Sequence, residues 1–258
     1  MPLYIVGSGL SADYLTLKAI SVLHNADKVY VDTYTSIAPG VDAELVKRLA
    51  PKAIVVAASR RLLEDEAYRV IEEAKKLNVV ILVPGDPMIA TTHVSILVEA
   101  LKRGVSVEVV PGVSGVYAAI SVTGLHFYRF GKPVTLVYPE EYYKPFSVIE
   151  TIYDNYDRGL HTLILLDLRL DEGKAMTIPE ALRILIELEK SYEASRHLME
   201  RVKLVGVARA GLPDQYCAYG NISQLASKRY PPPPHSLIVL AERLHPVEEE
   251  ALRLVCSG

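Results

Sequence analysis

Strand-like and helix-like segments alternate in a short, regular rhythm through the first 110 residues, and this constrains the fold more than any other feature. Apolar, β-branched runs stand at 3–6 (LYIV), 28–31 (KVYV), 53–58 (AIVVAA), 79–83 (VVILV) and 106–110 (SVEVV). Helical spacing of apolar residues fills gaps between them, from Leu15 to Leu23, Ala43 to Leu49, Glu66 to Leu77 and Val94 to Leu101. Runs this short and apolar have no polar side to show to water, so they predict strands buried on both faces. Helices between successive strands make βαβ units, hence an open α/β sheet with both faces covered.

Past Gly131 the rhythm loosens, with strand-like runs at 134–138, 162–168, 202–208 and 236–241. A long helix is predicted from Ile178 to about Arg196. Thr177 and Glu180 have capping-box spacing, and Pro179 falls in the first turn, where its missing N–H leaves no bond unmade. A chain of 258 residues allows about two domains. The expected division is an α/β domain over 1–111 and a second over 112–258, joined tightly near PGVSG (111–115), since no Gly/Ser-rich linker is present.

Composition narrows the partners. Lys and Arg number 28 against 31 Asp and Glu, a formal net charge of −3 with no basic face, so direct nucleic-acid binding is not expected. No apolar run approaches the roughly 20 residues that cross a bilayer. The opening MPLYIVGSGL has no basic leader, so neither a signal peptide nor a membrane partner is expected, and the location is read as cytoplasmic. Cys217 and Cys256 form neither a disulfide framework nor a metal pattern and suit a reducing cytosol; no metal is expected. Asn and Gln total six, a depletion of thermolabile amides that hints at a heat-adapted (thermophile) source.

In an open α/β sheet, ligands collect beyond the carboxyl ends of the strands. Three loops there carry unusual turn chemistry: GSGLSA (7–12), PGDPMIA (84–90) and PGVSG (111–115). Gly7 and Gly9 permit a sharp turn and close backbone approach, and Asp86 adds a carboxylate to a stiff Pro/Gly corner. A dinucleotide fingerprint competes for the first loop. Gly7, Gly9 and Ala12 match G-x-G-x-x-G/A, and Asp32 closes the second strand twenty positions on, which reads as an NAD-dependent oxidoreductase. That reading leaves PGDP and PGVSG unexplained. Ordinary roles also exist for each residue: Asp86 as an Asx-turn former, His93 at a helix start, Leu166 and Ala208 as core, Pro231 to Pro234 as a polyproline II spacer. Their joint order along the chain says more than any one of them.

Read with VDTYTS (31–36), TTH (91–93), TGLHFYRFG (123–131), RGLHTLILLDL (158–168), VGVARAG (205–211) and PHSLIVLAERLHPVE (234–248), these loops make the chain resemble the diphthine synthases from end to end. That family consists of tetrapyrrole methylase-like, S-adenosylmethionine-dependent methyltransferases. The resemblance implies two α/β domains, the first with a largely parallel sheet and the second with a mixed one, and S-adenosylmethionine in the interdomain cleft. Its cofactor contacts fall on Leu10, on Asp86 and Ile89, on Ser114 and Gly115, and on Leu166, Ala208 and His235. The departures are Ser8, Gly115 and Tyr117, where the family more often has other residues, so at Gly115 a backbone contact alone is carried over.

The same resemblance implies an acceptor and an assembly. The acceptor is the amino group of a 3-amino-3-carboxypropyl chain on a histidine of translation elongation factor 2, trimethylated in diphthamide biosynthesis; the assembly is a homodimer. Methyl transfer from a sulfonium to an amine needs orientation and a dry site rather than a covalent intermediate, so no catalytic nucleophile is assigned. His93 is a candidate proton acceptor or acceptor contact, and Glu248 to Glu250 with Tyr142 and Tyr143 are candidates for docking the protein substrate. The rivals are a tetrapyrrole (precorrin-type) methyltransferase, the nicotinamide oxidoreductase, and a catalytically silent module on the same fold.

Overall fold

The computed structural model describes residues 2–256. It divides into two compact units: the chain up to Tyr117 together with Arg169–Gly173, and Ala118–Leu168 with the chain from Lys174 onward. The first unit therefore runs past the PGVSG stretch where the sequence places the joint, and it takes in a short segment from the second half of the chain.

In the first unit, strands β1 (Leu3–Gly7), β2 (Lys28–Asp32), β3 (Ile54–Ala58), β4 (Val79–Val83) and β5 (Val107–Val110) form a parallel sheet in the order β3-β2-β4-β1-β5. Helices α1 (Leu17–His24), α2 (Ala43–Leu49), α3 (Arg60–Leu63), α4 (Ala67–Ala74) and α5 (Val94–Lys102) lie in the connections. Strand β4 shows why a run of five aliphatics folds this way. Val79, Ile81 and Val83 enter one core with Leu3, Ile5 and Ile71, while Val80 and Leu82 enter the other with Val6, Leu23 and Val46. Alternating side chains thus serve two separate layers, the condition that makes an all-apolar strand stable. Thr16 and Asp42 cap α1 and α2 by accepting from Ala19 N and Leu45 N, so these helices start where local chemistry dictates.

Helix α6 (Gly115–Ser121) runs across the division between the units. The rest of the chain gives β6 (Val134–Leu136), α7 (Phe146–Asp157), β7 (Thr162–Leu166), β8 (Leu168–Arg169), β9 (Lys174–Ala175), α8 (Ile178–Ser191), β10 (Leu204–Ala208), β11 (Tyr216–Gly220), α9 (Ile222–Ala226), β12 (His235–Val239) and α10 (Pro246–Val255). The sheet order is β11-β10-β12-β7-β6, antiparallel except for the β6–β7 pair, so it is mixed as the resemblance implies. The predicted capping box of α8 is present, with Thr177 N donating to Glu180 Oε2 at 2.8 Å. The helix stops at Ser191, before Arg196, because the chain turns at Tyr192. There the buried Glu189 accepts from Leu198 N (2.8 Å) and Met199 N (2.9 Å).

Glu248 is the polar centre of the second unit and is fully buried. It accepts from Arg129 Nη1 (2.6 Å), His245 N (2.9 Å), His126 N (3.0 Å) and His161 Nε2 (3.2 Å). His161 Nδ1 accepts from Ala241 N at 3.0 Å, which leaves the ring proton on Nε2, aimed at the carboxylate. The stretches TGLHFYRFG, RGLHTLILLDL and the tail therefore meet on one side chain. This corrects the expectation that Glu248 belongs to a docking surface; Tyr142 and Tyr143 are exposed, as that expectation requires.

The cysteines need correction too. Cys217 of β11 and Cys256, just past α10, are joined by a disulfide, their Cα atoms 4.6 Å apart across a sequence separation of 39. No local spacing announces the pair; the packing of α10 on β11 makes it. Closing a loop of this size is worth about 4 kcal/mol in the chain-entropy account. Cys217→Ser is expected to lower the unfolding free energy by about that amount in a denaturant titration, and a reductant should bring the unsubstituted chain to the same value.

Candidate functional site

Strands β1, β4 and β5 end side by side, and the residues that follow them are the three loops singled out from the sequence. Gly9 N donates to Gly85 O (3.1 Å) and Gly85 N to Gly9 O (2.9 Å), so the first two loops form a two-bond backbone bridge. A Cβ placed on Gly7 would lie 2.5 Å from Gly85 O and 2.6 Å from Gly112 N, and one on Gly112 would overlap Gly85 O. Three loops thus meet at a contact that only glycine allows. Asp86 then straps the corner: Oδ1 accepts from Met88 N at 2.9 Å, and Oδ2 reaches across to Gly112 N at 3.1 Å. The Asx turn expected of Asp86 is real, and the same carboxylate also ties PGDP to PGVSG. At the end of the corner Ala90 is held in the left-handed region (φ 57°), a strain of order 1–3 kcal/mol that the surrounding bonds must enforce.

These contacts bring the first unit's predicted residues together. Leu10 follows the bridge and Ile89 follows the strap; both are partly exposed, while Ser114 is buried with its hydroxyl accepting from Val116 N at 3.2 Å. Gly115 is exposed. A Cβ on Gly115 would touch only Leu10 Cδ2 (3.8 Å), and one on Gly85 would come no closer than 3.8 Å, to Gly115 N. The three loops therefore meet as one frame of backbone groups around Leu10, Gly85 and Gly115. Such a backbone cradle fits a ligand with many small hydrogen-bonding groups, such as a nucleoside joined to an amino acid.

In the second unit, Leu166 and Ala208 are the last residues of β7 and β10, and His235 is the first of β12. Ala208 pairs with His235, and Leu165 with Ser236, so the three residues lie at the same end of three neighbouring strands. The His235 ring is already occupied: Nδ1 accepts from Ile178 N (3.2 Å) and Nε2 donates to Pro231 O (2.7 Å). Burial lowers its pKa, so the ring is neutral near pH 7, and a ligand contact from His235 would come from its backbone. Arg209, which the sequence reading passed over, follows Ala208 in the left-handed region (φ 54°); its N–H donates to Pro234 O at 2.9 Å and its guanidinium pairs with Asp214 at 2.6 Å.

Asp32 and His93 take other roles than those considered. The buried Asp32 carboxylate accepts from Tyr34 N (2.9 Å), Thr35 N (3.0 Å) and the Thr35 hydroxyl, with His93 Nε2 3.3 Å away. Burial alone would raise its pKa, but the neighbouring His93, with the bonds from Thr35 and Tyr34, holds it below the usual carboxylate range. The acid is committed to its own loop rather than waiting for a ribose. Between the glycines and α1, moreover, stand a 3-10 turn (Ala12–Tyr14) and the extended Thr16, so no helix N-terminus faces the glycine loop where a pyrophosphate would need one. The oxidoreductase reading loses both of its supports. His93, at the start of α5, is 1% exposed; its Nε2 lies 3.3 Å from the Asp32 carboxylate, and neither ring nitrogen makes a hydrogen bond. Among the described residues no group of His, Cys, Asp or Glu is arranged to hold a metal ion, and no helix is long and apolar enough to cross a membrane.

Comparison with known proteins agrees with the geometry. Residues 2–226 match the Tetrapyrrole (Corrin/Porphyrin) Methylases family. A diphthine synthase of Staphylothermus marinus is 50% identical over 257 residues, covering 99% of this chain and 94% of that protein. One from Methanocaldococcus jannaschii is 39% identical over 259 residues, covering 99% of both. A crystal structure of a diphthine synthase superposes with a TM-score of 0.88 at 35% identity, covering 99% of this chain and 96% of the other. The chain belongs to the tetrapyrrole methylase family and, within it, to the diphthine synthases.

Proposed function

We propose that the chain transfers methyl groups from S-adenosylmethionine to the amino group of the 3-amino-3-carboxypropyl-histidine side chain of translation elongation factor 2, three in succession, acting in the cytoplasm as a homodimer. The donor contacts are Leu10, Asp86, Ile89, Ser114 and Gly115 from the first unit, with Leu166, Ala208 and His235 as the second unit's share. The observation that carries this reading is the backbone cradle at the ends of β1, β4 and β5, built from the three loops on which the family resemblance puts most of the donor's contacts.

Bound S-adenosylmethionine would supply an electrophilic methyl, which the lone pair of the acceptor amine would take up while the C–S bonding pair stays with a sulfur that leaves neutral. The protein's part is to orient and to exclude water, which can lower a barrier by about 7–11 kcal/mol. A frame of backbone groups locked by Gly7, Gly85, Gly112 and the Asp86 strap suits that task, because it has few soft side-chain torsions to rearrange. Each ammonium formed must lose a proton before the next round, to solvent or to a group on the substrate side.

The strap makes a prediction. In Asp86→Asn one of the two accepting oxygens becomes an NH₂ facing an N–H. Calorimetry with S-adenosylhomocysteine is expected to show binding weakened by roughly tenfold or more, the consequence of losing a charge-assisted bond. The function itself is tested by transfer of labelled methyl to elongation factor 2 carrying the precursor side chain. Labelling of that histidine is expected, whereas labelling of a porphyrin precursor in its place would favour the tetrapyrrole methyltransferase.

A further inference from the structure

We propose that a cavity in the first unit receives the acceptor's amino-carboxypropyl chain; this rests on the methyltransferase reading above. The cavity has a volume of ≈ 330 Å³ and lies at the carboxyl ends of β1, β2 and β4, where Ser8, Thr33 and Pro84 line it. That is the side of a parallel sheet on which ligands bind, and the volume is within the range of small-molecule sites. Ser8 belongs to GSGLSA and Pro84 to PGDP, and Ser8 N donates to Val83 O at 2.8 Å. The two loops that shape the donor cradle therefore also form a wall of this cavity, which places an acceptor chain next to the donor's seat.

The rest of the lining fits that chain chemically. Val31, Val41, Leu82 and Leu170 make it largely aliphatic. Each methyl added enlarges the apolar surface of the nitrogen against these walls, and the carboxylates of Asp32 and Asp42 stand in the same lining to offset its positive charge. Charge is supplied by Asp32, Asp42 and Lys47. Asp32 is committed to Tyr34, Thr35 and His93, and Asp42 caps α2 through Leu45 N at 2.8 Å. Lys47 has no ion-pair partner among the described residues, which leaves its ammonium for a carboxylate, the group the acceptor carries on the carbon that bears its amine.

The test separates this proposal from the reading beneath it. Ala57 is itself exposed and lines the cavity, so Ala57→Phe fills it, and Ala38→Phe is the alternative if the first variant does not fold. Lys47→Gln removes the charge. Affinity for S-adenosylhomocysteine is measured by calorimetry, and steady-state methylation of precursor-bearing elongation factor 2 gives KM and kcat. The cavity-filling variant and Lys47→Gln are each expected to raise KM for the elongation factor by about tenfold or more, with donor Kd within twofold of the unsubstituted chain. If the unsubstituted chain binds no donor or transfers no methyl, the functional reading fails first. If it does both and a folded, donor-binding cavity-filling variant keeps an unchanged KM, the acceptor site lies elsewhere.

Discussion

Gly112→Ala is expected to abolish measurable donor binding, raising Kd by at least about a hundredfold. The added methyl would overlap the carbonyl oxygen of Gly85 and come within 2.9 Å of Gly7 Cα, all of it backbone. A flexible side chain could swing away, but these atoms cannot. Gly85 is held by two bonds to Gly9, and Gly112 N is held by Asp86. Relief must therefore come from moving whole loops apart, at a cost of about 1–3 kcal/mol for overpacking. Displacements near 1 Å in a positioned site can remove two orders of magnitude of function. Calorimetry with S-adenosylhomocysteine, beside a thermal melt, reads the two effects separately: a modest fall in Tm and a large loss of affinity. Equal affinity in a folded Gly112→Ala variant would mean that the ligand does not use this frame.

Glu248→Ala is expected to be the most destabilising single substitution in the second unit, by about 3–5 kcal/mol, the usual result of removing one partner from a buried ion pair. Arg129 would keep its bonds to the carbonyls of Gly159 and Arg243 but lose its counter-charge, and His161 would be left with a buried N–H. The same group makes stability depend on pH in the acid range. Burial by itself would raise the Glu248 pKa, but the backbone N–H groups of His245 and His126, with the His161 side chain, bring it down to about 2 from 4.5. Because the folded value is depressed, the unfolded chain binds the extra proton between those two values, and stability falls as pH drops from about 4.5 toward 2. A shift of that size corresponds to about 3 kcal/mol. Denaturant titrations at pH 7 and pH 3 should show the loss in the unsubstituted chain and a smaller one in Glu248→Ala.

Much of this fold was legible because the first unit obeys local rules. The runs in β1 to β5 and the helices between them are dictated by apolar periodicity, and Thr177 with Glu180 announced α8 through capping chemistry alone. The strand β11 escaped notice because Tyr-Cys-Ala-Tyr-Gly holds small residues at an edge position, where burial writes no continuous apolar run. Long-range pairings were invisible for a related reason. Neither the Cys217–Cys256 bond nor the convergence of Arg129, His161 and His245 on Glu248 has a signature within any short window.

The site was legible in its loops and illegible in its roles. Gly7, Gly9, Asp86 and the PGVSG turn stood out by turn chemistry, yet only their packing shows that Gly85, Gly7 and Gly112 interlock and that Asp86 serves as a strap. His93 and Asp32 invited chemical roles by position, whereas both are buried and Asp32 is spent on the backbone and hydroxyl of its own loop. Ala90 and Arg209 carried no sequence signal, since alanine and arginine adopt the left-handed region only when tertiary contacts impose it.

A crystal of the chain grown with S-adenosylhomocysteine tests the central claim most directly. The ligand is expected against the backbone of Leu10, Asp86, Ser114 and Gly115, with its density bordered by the interlocked glycines. Well-ordered ligand bound away from these loops, with the loops themselves unchanged, would contradict the account.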